Sequence, residues 1–270
     1  MTQLSQQVGV SVASAWRIAR KDLGIFPYKI QIGQPLTEQS CEKRYEFCTQ
    51  VDAMIDDNEI DPANIIFTDE AHFWLNGYVN RQNYRIWGTQ RPEHVVAKPL
   101  HPLKLTVFCA INADGILGPY FFEETINGER YHEFIKETFI PDAVNENWLT
   151  DCWFQQDGAP PHTTRDNLQL LNEWYGPRVI ARNYPATFNC GLAWPPYSPD
   201  LSPLDFFLWG YVKDKVYQEP PQNLDDLRKK ISAIVKKIPV EMCKKTIDSF
   251  QERIKGCITT KGRHFENIIF

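Results

Sequence analysis

The stretch that most constrains the fold of this chain is residues 153–162, with the sequence WFQQDGAPPH. Its apolar start predicts a short buried strand, and Gly158, Pro160 and Pro161 end that strand abruptly. Asp157 therefore follows the carboxyl end of a strand. Open α/β sheets keep their functional sites at that edge, so Asp157 is a candidate site residue.

Two further acids have comparable positions in the sequence. Residues 64–68 predict a short strand that ends at Asp69 and Glu70. Asp205 lies in the first turn of a predicted helix, residues 203–217. In that helix the acid shares one face with apolar side chains, which directs it toward the sheet. These apolar residues are Trp209, Val212 and Val216.

Three carboxylates that converge on one sheet edge predict a binding site for divalent metal ions. Mg²⁺ and Mn²⁺ are hard ions that prefer oxygen ligands. Two such ions activate an oxygen nucleophile and stabilise a leaving oxygen in phosphodiester chemistry. The pattern therefore predicts Asp69, Asp157 and Asp205 as catalytic and metal-binding residues, with two Mg²⁺ or Mn²⁺ ions as cofactors.

Each acid also fits a structural role when it is taken alone. Asp69 fits an ordinary loop acid, and Asp157 before a glycine fits a turn. Asp205 fits the third position of a helix that begins with Ser and Pro. Asp200 is an alternative third ligand, but its position between a proline and the helix predicts a more mobile loop.

Residues 69–72 spell DEAH, the letters of a helicase box. A helicase also needs a phosphate-binding loop of the form GxxxxGK[ST]. No glycine in the chain is followed by lysine, so the sequence excludes this class of ATPase.

The order of the predicted elements favours an α/β fold with a mixed sheet flanked by helices. Strands come first, and a turn signal at Asn76–Gly77 predicts a meander, after which helices and strands alternate. The predicted strands are residues 64–68, 73–78, 84–87, 103–111 (with Leu103, Leu105 and Val107 inward, and extended by 119–122), 152–156 and 178–181. The predicted helices are residues 38–58, 128–145, 163–174, 203–217 and 223–256, the last as one or two helices, and residues 183–196 are predicted to be irregular.

Residues 88–102 predict a polar excursion that is long for a hairpin loop. Loops of this kind often contact a partner. Lys98 and Lys104, at and after this loop, are weaker candidates for phosphate or dimer contacts.

Residues 1–34 form a basic region at the start of the chain. They carry four basic residues and one acid, a net +3, whereas the whole chain carries −5 and the remainder therefore −8. Ser11 is the predicted N-cap of a helix with one apolar face, a pattern typical of a helix-turn-helix recognition helix. The apolar face contains Val12, Ala15, Trp16, Ala19 and Leu23, and the predicted DNA contacts are Arg17, Arg20 and Lys21. An ordinary amphipathic helix with a solvated basic face is the alternative.

The sequence therefore predicts two domains. Residues 1–34 are a partial helix-turn-helix region and linker, and residues 35–270 are the main domain with C-terminal helices. A composition with 43% hydrophobic and 13% aromatic residues supports a packed core.

The chain has features expected of an intracellular protein. No apolar run is long enough for a membrane span, and no apolar stretch near the N-terminus predicts a secretory signal. Seven scattered cysteines without a CxxC pair predict free thiols rather than disulfides or a zinc site.

Three segments together resemble a known family. FTDE at 67–70, QDGAPPH at 156–162 and YSPDLSPLD at 197–205 are similar to the three catalytic blocks of mariner-type transposases, in the Tc/mariner superfamily. The similarity covers about residues 3–220. In that family the third acid follows the SPDL run, which corresponds to Asp205 rather than Asp200.

The resemblance implies a ribonuclease-H-like fold, an Asp-Asp-Asp metal site and cut-and-paste DNA chemistry in the nucleus. It also implies recognition of terminal inverted repeats in double-stranded DNA by the N-terminal helices, and action as a homodimer. The family usually has two helix-turn-helix units, and only the later part of the second is present here, so an N-terminally truncated member is expected. Residues 183–193 resemble an insertion relative to the family.

Other aromatic and polar residues near these segments have two interpretations. His162 is a candidate auxiliary residue near the scissile phosphate or a positioned water, with a structural role at a helix start as the alternative. Trp194, Trp209 and Phe206 are predicted to lie in the core rather than to stack on bases. The competing functions are a catalytically inactive or repurposed DNA-binding protein and a general ribonuclease-H-like nuclease.

Overall fold

The computed structural model describes residues 9–22, 35–76 and 103–265, with only the backbone described at Ala19 and Arg20. The chain divides into two compact units, Met1–Pro35 and Leu36–Phe270.

The first unit contains helix α1, Val12–Arg17, followed by a π-helical turn, Ile18–Asp22. The predicted N-cap is present, because the backbone N–H of Ser14 donates to Ser11 Oγ at 3.0 Å. The predicted apolar face is wrong in part, because Ala15 is buried whereas Val12 and Trp16 are exposed. A helix of six residues makes less than two turns, so it buries only a narrow part of its surface, and Ala15 occupies that part. Leu23, the last residue of the predicted apolar face, lies outside the described residues.

The second unit is the larger one, and its elements alternate strands and helices. Helix α2 is Glu38–Asp56, strand β1 is Ile65–Trp74, β2 is Lys104–Asn112, β3 is Gly115–Phe122, α3 is Gly128–Phe134, α4 is Ile140–Asn145, β4 is Trp153–Gln155, α5 is Arg165–Tyr175, β5 is Val179–Ile180, α6 is Tyr184–Phe188, α7 is Trp209–Val216, α8 is Leu224–Val235 and α9 is Val240–Thr259. A π-helical turn, Ile135–Phe139, joins α3 to α4, and another, Leu204–Leu208, runs directly into α7.

Within the described part of the chain, five strands form one mixed sheet in the order β3-β2-β1-β4-β5. Strand β1 pairs antiparallel with β2 and parallel with β4. Helices α2, α7, α8 and α9 pack on one face of the sheet and form one apolar layer with it. Helices α3, α4 and α5 pack on the other face and form a second apolar layer. This confirms the predicted mixed sheet flanked by helices.

Strand β1 is longer than predicted. Its antiparallel pairing with β2 continues from Phe67 to Trp74, so the backbone stays extended well past Thr68. Asp69 is therefore inside the strand rather than after it. The predicted strand at 84–87, Gly77 and the whole of the loop at 88–102 lie outside the described residues.

Strand β3 is a separate element rather than an extension of β2. A tight turn reverses the chain, and Asn112 Oδ1 accepts hydrogen bonds from the backbone N–H groups of Asp114 and Gly115 at 2.8 and 3.1 Å. Leu103, predicted to point inward, precedes β2 and is 58% exposed. Almost all of β2 is buried, because helices cover both faces of the sheet.

The predicted helices agree with the structure, and residues 223–256 contain two of them, α8 and α9. Residues 183–196 are not wholly irregular, since they contain α6. All seven cysteines are free, as predicted. Among the described residues, no helix combines the length and the apolar character that a membrane crossing requires.

Candidate active site

Asp69 and Asp157 occupy matching positions relative to two neighbouring parallel strands, β1 and β4. The last parallel pair between β1 and β4 joins Phe67 to Gln155, and each acid lies two residues beyond that pair. Beyond Gln155 strand β4 has ended, whereas β1 continues beside β2. The end of β4 therefore leaves a gap next to Asp69, and Asp157 lies at the start of this gap.

Asp205 is in the π-helical turn that contacts β1 and leads into α7. One helical turn further on, Trp209 Nε1 donates a hydrogen bond to Asp69 Oδ2 at 2.7 Å. Trp209 is buried, as predicted, but its bond to an acid was not predicted. Its spacing of four residues from Asp205 was the signal for a shared face.

The pKa values of Asp69 and Asp205 are raised, whereas for Asp157 the bond from His162 outweighs burial and lowers the pKa. Burial raises the pKa of Asp69 well above its usual value, the negative charges of Asp205, Glu70 and Asp157 add to this, and the bond from Trp209 opposes it. Asp205 is exposed on one side, yet partial desolvation, followed by the charge of Asp157, raises its pKa to about 6. A concentration of negative charge on oxygen atoms is the donor set that a hard divalent cation fits.

Asp157 is held by a buried histidine. His162 Nδ1 lies 2.6 Å from Asp157 Oδ1, and Nε2 lies 3.2 Å from Glu70 Oε1. Burial lowers the pKa of His162, but Glu70 and Asp157 outweigh burial and raise that pKa to about 10. The imidazole is therefore protonated at neutral pH and donates from both nitrogens. Its ring packs on Tyr131 with centroids 4.3 Å apart.

Neighbouring residues Asp69 and Glu70 point to opposite faces of the sheet, because side chains alternate along a strand. Asp69 contacts Trp209 in one apolar layer, and Glu70 contacts His162 beside Tyr131 in the other. Across residues 9–22, 35–76 and 103–265, no three His, Cys, Asp or Glu side chains are drawn together as a ready metal cluster.

Asp200, the alternative third ligand, is engaged elsewhere. Its two carboxylate oxygens accept bonds from Arg44 Nη1 and Nη2 at 2.7 and 2.6 Å. The predicted loop contains a 3₁₀ turn, Pro199–Leu201, in which Asp200 and Leu201 are buried, and Arg253 Nη1 also donates to the Asp200 backbone carbonyl at 3.0 Å.

A lysine that was not predicted lies near the acids. Lys213 is eight residues after Asp205 on the same helix, and its Nζ is 5.4 Å from the centroid of the Phe73 ring. Burial lowers the pKa of Lys213, and the charges of Asp69 and Asp205 oppose that effect. The signal for this residue was again helical spacing from Asp205.

The basic residues that were predicted to contact phosphate lie outside the three segments that carry the acids. Arg17 and Lys21 are exposed, whereas the Arg20 side chain and Lys98 lie outside what the structure describes. Lys104 is exposed, with Nζ 3.2 Å from His72 Nε2. The two remaining predicted core aromatics are Trp194, which is buried, and Phe206, which is partly buried under the Arg253 guanidinium.

A five-stranded mixed sheet of this order, covered on both faces by helices, defines a ribonuclease-H-like domain of the kind found in DNA transposases. The chain belongs to the DDE superfamily endonuclease family, whose sequence profile matches residues 64–228. Its Tc/mariner resemblance is borne out by the relatives it matches.

Two relatives illustrate the similarity. The chain is 26% identical over 241 residues to the human histone-lysine N-methyltransferase SETMAR, a match that covers 86% of this chain and 32% of that protein. It is 24% identical over 206 residues to the transposable element Tcb1 transposase of Caenorhabditis briggsae, covering 74% of this chain and 69% of that protein. The chain therefore spans about a third of SETMAR and about two thirds of Tcb1 transposase.

The fold is shared with Mos1 transposase. The Mos1 paired-end complex with left transposon end superposes with a TM-score of 0.76 at 19% identity, covering 98% of this chain and 74% of that chain. The Mos1 mariner paired-end complex with Mn superposes with a TM-score of 0.74 at 19% identity, covering 97% and 74%.

Proposed function

We propose that this protein is a cut-and-paste DNA transposase that cleaves and joins DNA at the inverted-repeat ends of a transposon. The observation that carries the proposal is geometric: Asp69 and Asp157 each lie two residues beyond the last β1–β4 pair, and Asp205 lies in the turn that contacts β1. Membership of the DDE superfamily endonuclease family supports it.

The same three acids would hold two Mg²⁺ or Mn²⁺ ions. Asp69 would contribute to both ions, and Asp157 and Asp205 would each complete one. When bound, such ions lower the pKa of an attacking oxygen and neutralise charge on the phosphate and the leaving oxygen. The Mos1 paired-end complex solved with Mn supports this choice of cofactor.

The proposed reaction has two displacements at phosphorus. In the first, a water oxygen forms a bond to phosphorus and the bond from phosphorus to the 3′ oxygen breaks, so that the 3′ oxygen leaves as a hydroxyl with a proton. In the second, that hydroxyl attacks a phosphorus of the target DNA and displaces the target 3′ oxygen. Neither displacement requires a covalent enzyme intermediate.

The residues of this chain would orient these steps. Trp209 fixes one oxygen of Asp69, and His162 fixes one oxygen of Asp157. His162 also carries a positive charge beside two acids, which limits their repulsion before an ion is bound. In this proposal His162 assists by orienting Asp157 and Glu70 rather than by reacting itself.

DNA binding is assigned to residues 1–34 and catalysis to residues 35–270. The exposed cations Arg17 and Lys21, together with Arg20, would contact the phosphates and bases of the transposon end. The protein would act as a homodimer in the nucleus, where its DNA substrate is found. The Mos1 complexes with transposon ends support a paired arrangement of this kind.

A nicking assay on the matching repeat-end duplex with Mg²⁺ tests the catalytic proposal. Asp157→Ala is expected to abolish cleavage, whereas Asp248→Ala, which removes an exposed acid of α9, is expected to cleave like the wild type. A gel shift on the same duplex is expected to give equal binding for all three proteins. Cleavage by Asp157→Ala at the wild-type rate would contradict the assignment.

A non-catalytic DNA-binding protein is the second candidate function. The observation that favours it is that, among the described residues, no three His, Cys, Asp or Glu side chains are close enough together to hold a metal ion. This candidate would be selected if the wild-type protein binds the repeat-end duplex in the gel shift but does not nick it with either Mg²⁺ or Mn²⁺.

A further inference from the structure

One hydrogen bond links the strand that carries Asp69 to the helix that carries Asp205. Trp209 Nε1 and Asp69 Oδ2 are 2.7 Å apart, and Trp209 is four residues after Asp205. Residues four apart lie on the same face of a helix, so the indole and the Asp205 carboxylate face the same side. The contact joins residues that are 140 positions apart in the sequence.

We propose that Trp209 is a positioning residue that sets the Asp69 carboxylate relative to Asp205 for binding a divalent cation. This inference rests on the proposed function, in which both acids hold the ion. An indole N–H donates one hydrogen bond and accepts none. It therefore fixes Oδ2 of Asp69 and leaves Oδ1 available as a ligand.

The surroundings of the indole make this contact rigid. Trp209 is 5% exposed, and Phe73 packs edge-on against it at 6.1 Å between ring centroids. Leu208 and Val212, its neighbours in the helix, are fully buried in the same apolar layer. A ring packed in this way keeps its N–H direction without a ligand, so the carboxylate is oriented before an ion arrives.

A purely structural role for Trp209 has a different consequence. If the ring matters only for packing, its N–H is dispensable and phenylalanine replaces it at little cost to ion binding. Trp209→Phe keeps an aromatic ring and removes the donor. Trp194→Phe is the matched control, because Trp194 is also buried in this layer, packs edge-on against Phe47 at 5.4 Å, and bonds to none of the three acids.

The test is the dissociation constant for Mn²⁺, measured by titration calorimetry on the full chain after removal of divalent ions. Loss of a residue that orients a ligand typically weakens metal binding by about 10–100-fold. We expect that loss in Trp209→Phe and a change of less than about twofold in Trp194→Phe, with similar urea midpoints for the two variants. Wild-type Mn²⁺ affinity in folded Trp209→Phe would overturn the inference.

The wild-type protein provides a second measurement if Trp209→Phe does not fold. The eight tryptophans each give an indole N–H signal in a ¹⁵N spectrum. The Trp209 signal is assigned by its contact with the Phe73 ring. It is expected to shift when Mg²⁺ is added and to broaden before the other indole signals when Mn²⁺ is added, while the Trp194 signal stays unchanged. A Trp209 signal that does not respond to an ion that binds would count against the inference.

Asp69→Asn separates failure of this inference from failure of the proposed function. If wild type binds Mn²⁺, Asp69→Asn weakens it and Trp209→Phe does not, only the role of Trp209 is rejected. If the wild type binds no divalent ion in either measurement, the proposed metal site is rejected and the role of Trp209 with it.

Discussion

Arg44 and Asp200 form a buried bidentate ion pair, with Nη1–Oδ1 and Nη2–Oδ2 separations of 2.7 and 2.6 Å. Arg44 is 0% exposed, and it also donates to Ser198 Oγ and to the carbonyl of Gly262. The pair therefore ties α2 to the segment that leads into Asp205 and to the end of α9. A buried charge that is hydrogen-bonded to its partner in this way is costly to separate from it.

Removing one partner of this pair is expected to destabilise the fold strongly. Arg44→Met leaves Asp200 buried without its counter-charge, which typically costs about 3–5 kcal/mol in free energy of unfolding. Urea unfolding followed by circular dichroism measures this change. Lys43→Met, at an exposed position next to Arg44 on α2, is the control and is expected to change the free energy by less than about 0.5 kcal/mol. A loss below about 1 kcal/mol in Arg44→Met would contradict the structural role of the pair.

Divalent ions are expected to stabilise the protein. Asp205→Asn removes one negative charge from the site, and because burial and then the charge of Asp157 raise the pKa of Asp205, the variant is expected to unfold at a higher temperature than wild type when no metal is present. Mn²⁺ at about 100 times its dissociation constant is expected to stabilise wild type by about 2.7 kcal/mol and the variant by much less. Differential scanning calorimetry without Mn²⁺ compares the unfolding temperatures of the two proteins, and a second scan with Mn²⁺ measures how much the ion stabilises each. Equal stabilisation of the two proteins by Mn²⁺ would exclude Asp205 as a ligand.

His162→Ala is expected to lower both stability and cleavage. It leaves Asp157 and Glu70 without the charged donor between them, and a hydrogen bond to a charged group is worth about 1.5–3 kcal/mol. The rate of DNA nicking at saturating Mg²⁺ is expected to fall about 10–100-fold, less than in Asp157→Ala. Glu70→Gln, which keeps an oxygen acceptor for His162, is expected to lose less of either property. An unchanged nicking rate in His162→Ala would limit this histidine to a packing role.

Binding to the repeat-end duplex is expected to depend on α1 and the turn after it. Lys21→Ala should weaken binding and reduce the slope of log affinity against log salt by about 1, because one phosphate contact is lost. Lys43→Ala, which removes an exposed lysine from α2, should leave affinity and slope unchanged. Fluorescence anisotropy between low and moderate salt measures both quantities. A slope that is the same in Lys21→Ala and wild type would remove this residue from the DNA contacts.

Local patterns were sufficient to predict most of the elements and the mixed sheet. The strand before Asp157 is marked by apolar residues and by the glycine and prolines that follow, and all of these signals are close in sequence. The end of β1 could not be predicted in the same way. Its continuation past Asp69 depends on pairing with β2, whose paired residues lie thirty or more positions later.

The contacts of the site also depend on distant partners. The sequence around Asp200 resembles a loop, and nothing local indicates that Arg44 binds it 156 positions earlier. Trp209 shows an apolar periodicity that predicts burial, but the direction of its N–H is fixed only when the helix packs on β1. The partner of a buried charge and the direction of a hydrogen-bond donor depend on tertiary packing. A single sequence therefore does not predict them.

Asp69 and Glu70 are consecutive residues whose side chains are tied to different apolar layers, through Trp209 and through His162. Within the described part of the chain, one peptide unit therefore joins the two apolar layers. Loosened packing in either layer is expected to tilt that unit and to move the carboxylate that is anchored in the other. Substitutions deep in the α3–α4–α5 layer should thus alter the chemistry on the opposite side without touching it.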